Sequence, residues 1–392
     1  MTKELIDKID LLTMQVYEES LNHRRYLHEH PELSWQEKNT SSYIQSFLKN
    51  ENVAFKLYAT HGIVATIACK NPTKRCIALR ADMDALPIQE ENDIAYKSTC
   101  ENIMHACGHD VHMACLMGAI KVINSLKEEI EGTIKFIFQP SEERQPSGAQ
   151  KMIEEGVLEN PKVDEIYGLH VTPELLCGQI GYKSGKFMAS ADEIYIDILG
   201  PGGHAAQAYQ TVDTILIASQ IIVALQQIVS RNANPLMPTV LSFGDIQGHG
   251  ATNIIPKEVK IKGTLRTFDE VWRKSIHVKI NDIVQGIATS MGATCKVHIP
   301  EGLPFVLNND VVTLKSIRKI SSFIKDENLI EMPLRMGAED FGYYSQLVPS
   351  CFYRLGTGDL SVHQQKKLHT STFSINENAI LYGIKIFVSS VF

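Results

Sequence analysis

Residues 104–112, MHACGHDVH, hold one thiol, three imidazoles and an acid within nine positions. Cys107 and His109 are two apart with Gly108 between them, so a tight turn can aim a thiolate and an imidazole at one cation or at a pair of cations. Glu142 and Glu143 follow the apolar run 133–138 by way of Gln139, Pro140 and Ser141. Neighbouring residues at a strand end point different ways. One carboxylate can therefore bind a cation while the other takes a proton from a cation-activated water. His170 closes EIYGLH at 165–170, and His369 lies in Lys367-Leu368-His369-Thr370. Each feature alone has a plain alternative: a solvated acid pair, or a packed or surface histidine among the fourteen present. As a set, Cys107, His109, Glu143, His170 and His369 are all transition-metal ligand types. Five ligands exceed one tetrahedral site and suit two ions sharing a bridge, with positions left for water.

These residues need elements to position them. Apolar spacing predicts a helix over 4–29, stopping near His30-Pro31, where the residue before proline disfavours the α region. A second helix is expected over 37–50. GIVATIA (62–68) and CIALRA (76–81) read as strands, and Asp82 and Asp84 directly follow the latter. A helix is expected over 110–127, a strand over 133–138, a helix over 147–156 closing at Gly156, and a strand over 165–170. Three strands ending in acid or histidine with helices between them point to an α/β sheet whose strand ends converge on one site.

The texture changes near Ser184. DEIYIDIL (192–199) alternates like a half-exposed strand, then Gly200-Pro201-Gly202-Gly203-His204 leads to a helix over about 211–231. Strands near 239–247 and 258–268, a helix near 269–291 and a strand over 293–299 complete a β-α-β-β-α-β order, the split βαβ pattern. A strand at 351–355 and a helix near 376–390 end the chain.

At 392 residues, two or three domains of ~150 residues each are expected. The net charge of −7 and the scattered Lys and Arg argue against a nucleic-acid or anionic-membrane partner. The apolar run 215–225 is shorter than the ~20 residues of a membrane span. The first ten residues are polar and charged, unlike a signal peptide. Eight cysteines in a long chain of this kind read as reduced thiols, and the expectation is a cytoplasmic protein.

Over essentially its whole length the sequence resembles the metal-dependent aminoacylase and amidohydrolase family. That family includes hippurate hydrolases and plant auxin-conjugate hydrolases and is related to two-metal carboxypeptidases. The stretches that carry the resemblance are RRYLHEHPELSWQE (24–37), LRADMDALPIQE (79–90), MHACGHDVH (104–112), FQPSEE (138–143), GLHV (168–171), GPGGHAA (200–206), TNIIP (252–256), GTLRTF (263–268), MGAEDF (336–341) and LHTSTF (368–373). The resemblance implies an α/β protein with a two-metal aminopeptidase-like catalytic domain, 1–183 and 300–392. Into it is inserted an α+β (split βαβ, ferredoxin-like) lid and dimerisation domain, 184–299. It implies two divalent ions per subunit, Mn2+ or Zn2+, on Cys107, His109, Glu143, His170 and His369, with Cys107 a candidate bridge. Glu142 matches the general base. His204 matches a residue that stabilises the tetrahedral oxyanion from a partner subunit. Asn253 and Arg266 match binders of the substrate's carboxylate or oxyanion. Asp82 and Asp84 match residues that orient the ligands, with strand-end capping as the alternative.

The implied activity is hydrolysis of the amide of an N-acyl, N-acetyl-type, L-amino acid. A dipeptidase or carboxypeptidase using the same ions is the alternative. The implied assembly is a homodimer or a dimer-based tetramer through the inserted domain. Two departures stand out: Ala208-Tyr209 where relatives carry Pro-His, and Thr370-Ser371 where they carry Ser-Pro. The first leaves the acyl preference open.

Overall fold

The computed structural model describes residues 1–359 and 367–392. The chain divides into two compact units. One comprises Met1–Gly185, Leu307–Pro333 and Tyr343–Phe392; the other comprises Lys186–Val306 and Leu334–Gly342.

The first unit is built on an eight-stranded mixed sheet. In spatial order its strands are Ala54–Tyr58, Gly62–Ala68, Thr133–Gln139, Cys76–Asp82, Glu165–Leu176, Ser350–Gly358, Ile180–Tyr182 and Leu329–Glu331. The four central strands, from Thr133–Gln139 to Ser350–Gly358, run parallel to one another. Cys76–Asp82 and Thr133–Gln139 are buried throughout, which fits a sheet covered on both faces. Their register sets Asp82 opposite Gln139, so Asp84 and Glu142–Glu143 emerge at the same sheet edge. The Glu165 strand does not stop at His170. Its parallel partner keeps pairing, Arg354 opposite His170 and Leu355 opposite Val171, and the strand continues to Leu176.

The helix Lys3–Glu29 starts where the Thr2 hydroxyl accepts from Leu5 N, and His30 closes it before Pro31. It packs with the helices His109–Ser125 and Ala379–Ser390, and the middle helix of the three rests on the Cys76 and Glu165 strands. The helices approach so closely that Gly118 has no room for a side chain. A Cβ there would lie 2.5 Å from Ile384 Cδ1 and 2.6 Å from Ser20 Oγ.

In the second unit four antiparallel strands lie in the order Val240–Gln247, Glu258–Arg266, Asp192–Leu199, Thr294–His298. With strands numbered along this unit, that is 2-3-1-4, the split βαβ arrangement. Ile194, Ile196 and Ile198 alternate inward from the Asp192 strand. They form one core with Ile217, Ile221 and Leu225 of the helix Thr214–Leu225 and Ile276, Ile280 and Val284 of the helix Glu270–Ser290. The segment Thr214–Asn232 is long and apolar enough to cross a membrane by length and composition, yet its inward face packs in this core. Buried Asp192 fixes the start of its strand by accepting from Arg273 Nε at 2.7 Å and Nη2 at 2.6 Å. Burial opposes its charge, but Arg273 and His277 hold the Asp192 carboxyl below the usual carboxylate range.

One buried acid in the first unit links fold to pH. Glu37 begins the helix Lys38–Asn50 and accepts from Ser141 N at 2.8 Å, which ties that helix to the loop leading into Glu142. Burial, with Asp84 nearby, pushes the Glu37 carboxyl from 4.5 up to about 7. The folded protein therefore holds a proton that the unfolded chain releases first. Stability falls as pH rises through that window, by on the order of 3 kcal/mol in total.

Two predictions follow from this packing. In metal-free protein, chemical denaturation across pH 4 to 8 is expected to show Glu37→Gln removing a downward slope present in the parent; an unchanged slope contradicts the assignment. Gly118→Val is expected to cost about 1–3 kcal/mol through overpacking, measured as a lower urea midpoint at unchanged m-value.

Candidate metal centre

Five of the residues singled out in the sequence converge in the first unit. Cys107 Sγ lies 3.3 Å from His170 Nε2 and 3.3 Å from His369 Nε2. Glu143 Oε1 lies 3.3 Å from His369 Nε2 and 4.0 Å from His109 Nε2. Candidate ligand atoms of Cys107, His109 and His170 all lie within 4.8 Å of one another, and so do those of Cys107, Glu143 and His369. Cys107 belongs to both groups, which is the geometry of a residue between two cation positions. Glu142 joins His109 and Glu143 in a third group of the same size.

The local chain explains the aim of each side chain. Gly108 precedes the helix His109–Ser125 at φ +80, a left-handed turn that glycine adopts without strain. A Cβ there would sit 2.5 Å from Val171 Cγ2. The turn therefore brings Cys107 and His109 against the Glu165 strand, where His170 stands. Nδ1 of His170 donates to the Val171 carbonyl at 2.7 Å, which leaves Nε2 as the ring's lone-pair nitrogen facing Cys107. His369, at φ +59, is in the left-handed region, and its backbone N donates to Ala106 O at 2.9 Å.

Asp82 and Asp84 are fully buried and arrange the surroundings. Asp84 accepts from Glu142 N and Glu143 N, each at 3.0 Å, and from Ser34 Oγ at 2.7 Å. Its Oδ1 lies 3.3 Å from His109 Nδ1. Asp82 takes Nδ1 of His112 at 2.6 Å and Arg80 Nη1 at 2.6 Å. The other nitrogen of His112 accepts from Val171 N at 2.9 Å, so both its ring nitrogens are engaged by the protein. That distinguishes His112 from His109, whose Nε2 has no hydrogen-bond partner. Sequence reading passed over Arg80, although a lone arginine inside the apolar run CIALRAD signals a buried ionic partner two positions away.

The donor set fits a pair of cations. His109 Nε2 is buried without a hydrogen-bond partner, a costly state that a cation between it and Glu143 would relieve. Burial penalises a charged His109, but Asp82 and Asp84 outweigh it and hold the imidazole up at about 10. Burial, then Glu143 and Glu142, push the Cys107 thiol well above its usual range. Burial, then Arg354 and His112, hold His170 well below the usual histidine range, so it stays neutral as a ligand must. So much converging negative potential and so many lone pairs around one thiol suit divalent cations.

The remaining residues lie in the second unit. His204 and Asn253 are brought together there. The two-residue strand Gly203–His204 pairs with Ile254–Ile255, and Ala205 N donates to Asn253 O at 3.0 Å. Both side chains are exposed. Nδ1 of His204 accepts from Ala206 N at 3.1 Å, which leaves Nε2–H as a donor. Arg266 ends the Glu258 strand, partly buried.

Comparison with known proteins agrees with this picture. The chain is 37% identical over 381 residues to an N-acetyl-L-cysteine deacetylase of Bacillus subtilis, covering 97% of this chain and 88% of that protein. It is 40% identical over 311 residues to an N-acyl-L-amino acid amidohydrolase of Geobacillus stearothermophilus, covering 79% and 82%. A crystal structure of the Bacillus subtilis YXEP protein, a dinuclear metal binding peptidase from the M20 family, superposes with a TM-score of 0.81 at 32% identity, covering 96% and 98%. The pattern of peptidase family M20/M25/M40 matches residues 78–392. The chain belongs to peptidase family M20/M25/M40.

Proposed function

We propose that this protein is a two-metal amidohydrolase that cleaves the amide of N-acyl, N-acetyl-type, L-amino acids to a carboxylate and a free amino acid. The convergence of Cys107, His109, Glu143, His170 and His369 beside Glu142 carries the reading, and the likeness to N-acyl amino acid hydrolases supports it. The five residues would hold two divalent cations. When bound, the cations polarise the amide carbonyl and acidify water. Glu142 takes the proton of the attacking water and returns it to the nitrogen as the C–N bond breaks. His204 donates its Nε2–H to the developing oxyanion. Arg266, with Asn253, holds the substrate carboxylate, for which a guanidinium is the natural bidentate partner. Asp82 and Asp84 keep the ligands and the Glu142–Glu143 backbone in place. Thiolate and imidazole favour zinc, and the carboxylates also suit manganese.

We further read Lys186–Val306 as a lid and dimerisation domain. Ile215, Leu216 and Val223 on the helix Thr214–Leu225 are exposed, an apolar face suited to a second copy. Assembly is then a homodimer or dimer-based tetramer, with His204 serving the neighbouring subunit. The eight unpaired thiols fit a cytoplasmic place of action.

Protein loaded separately with Zn2+ or Mn2+ is expected to release amine from a panel of N-acyl amino acids. Silence across that panel with two ions bound per chain rejects the reading, and preference for a parallel dipeptide panel moves it to a dipeptidase or carboxypeptidase. Glu142→Ala is expected to slow amine release by roughly 10²–10⁴-fold at unchanged metal content. Mixing a His204→Ala chain with a Glu142→Ala chain is expected to restore activity, because one active site of each mixed dimer regains both groups. Mixed dimers that stay inactive disprove the shared site.

A further inference from the structure

His369 differs from Cys107, His109 and His170 in how it is held. Cys107, His109 and His170 are buried and stand at the helix His109–Ser125 or on the central sheet. His369 is half exposed, lies on an irregular segment and has a left-handed backbone, uncommon for a residue other than glycine. Something outside that segment must fix it. Ala106 O takes its backbone N–H, and two neighbouring residues of a different loop hold the segment just after it. Asn92, buried to 5% exposure, donates its amide to Phe373 O at 2.8 Å. Glu91 N donates to Ser371 O at 2.9 Å, and Ser371 Oγ donates to Glu91 Oε2 at 2.6 Å.

The clamp is itself anchored. Asn92 Nδ2 also donates to Glu90 Oε1 at 3.0 Å. Glu90 Oε1 meets His28 Nε2 at 3.1 Å, and His28 Nδ1 meets Asp110 Oδ2 at 2.9 Å. Arg24 Nε donates to that same Asp110 oxygen at 2.8 Å. Asp110 is the residue after His109. A continuous buried chain of polar contacts, Asp110–His28–Glu90–Asn92–Phe373, thus joins the helix turn that carries His109 to the segment that carries His369.

We propose that Asn92 is a positioning residue for His369: by gripping Phe373 O from the Glu90–His28–Asp110 chain, it fixes the reach of His369 to Cys107 and Glu143. This rests on the reading of His369 as a metal ligand. The ion held by Cys107, Glu143 and His369 depends on Asn92, and the ion held by Cys107, His109 and His170 does not. A general loss of stability weakens both ions; loss of the clamp weakens one.

Zn2+ titration against a competing chelator, with metal content by mass spectrometry, separates these cases without any activity measurement. Asn92→Ala is expected to weaken one of the two ions by about 10- to 100-fold, the range for partners that orient a ligand, and to leave the other at the parent affinity. His369→Ala is expected to lose that same ion. The surface double variant Glu91→Ala/Ser371→Ala, which removes one bond at the rim and leaves the core intact, is expected to weaken the same ion severalfold. It carries the test should Asn92→Ala fail to fold. Parent affinity for both ions in the Asn92→Ala and double variants, while His369→Ala loses one, overturns the clamp and keeps the ligand. Equal weakening of both ions by Asn92→Ala also overturns it. Two ions retained by His369→Ala overturns the ligand reading and the clamp together.

Discussion

A carboxylate withdrawn from water needs a donor for each of its lone pairs, and the chain around Asp84 is arranged to provide them. Ser34 comes from the segment after the first helix, Glu142 N and Glu143 N from the loop after the Thr133 strand, and His109 from the start of its helix. Three segments distant in sequence meet on one buried side chain. Two backbone N–H groups bound by one carboxylate leave the loop little freedom, so the adjacent carboxylates of Glu142 and Glu143 are presented in a fixed relation. Burial works against the charge of Asp84, yet His109, Ser34 and these backbone donors keep its carboxyl below the usual range. The same charge keeps His109 beside it.

The sheet makes that meeting possible. Parallel strands place their C-terminal ends on one edge, and the register of the Cys76 and Thr133 strands puts Asp82 level with Gln139. His170 reaches the site from within a strand. It can do so because Val171 N, on the side of the Glu165 strand away from pairing with Ser350–Gly358, is capped by His112, which is oriented in turn by Asp82. A histidine that looks like a ligand in the sequence thereby closes a sheet edge and separates two strands' worth of function.

Much of this was legible from local signals. Runs such as GIVATIA and TIKFIF are strands wherever they are buried, and Pro31 ends a helix in any context. The ten family stretches contain the five converging residues. Other features depend on distant partners and leave no local trace. His109 and His112 are three apart on one helix face, and the physical difference between them lies in Asp82 and Val171, 30 and 59 residues from His112. The strand Ala54–Tyr58 has no clean apolar alternation, because it is an edge strand whose side chains stay largely exposed. The Glu165 strand outlasts its expected end because pairing with Ser350–Gly358, set far downstream, decides where it stops.

The site therefore combines two kinds of support. Cys107, His109 and His170 stand on elements buried in the apolar core, whose local opening costs nearly as much as global unfolding. His369 stands on an irregular segment whose Phe373 is buried in that core and whose backbone is tied to Ala106 and to the Glu91–Asn92 loop. Asn92 and Glu91 add polar ties to that segment, at Phe373 O and at Ser371. Buried polar contacts give this arrangement its register, because each demands a particular partner and a displaced loop leaves an amide or a carboxylate unanswered.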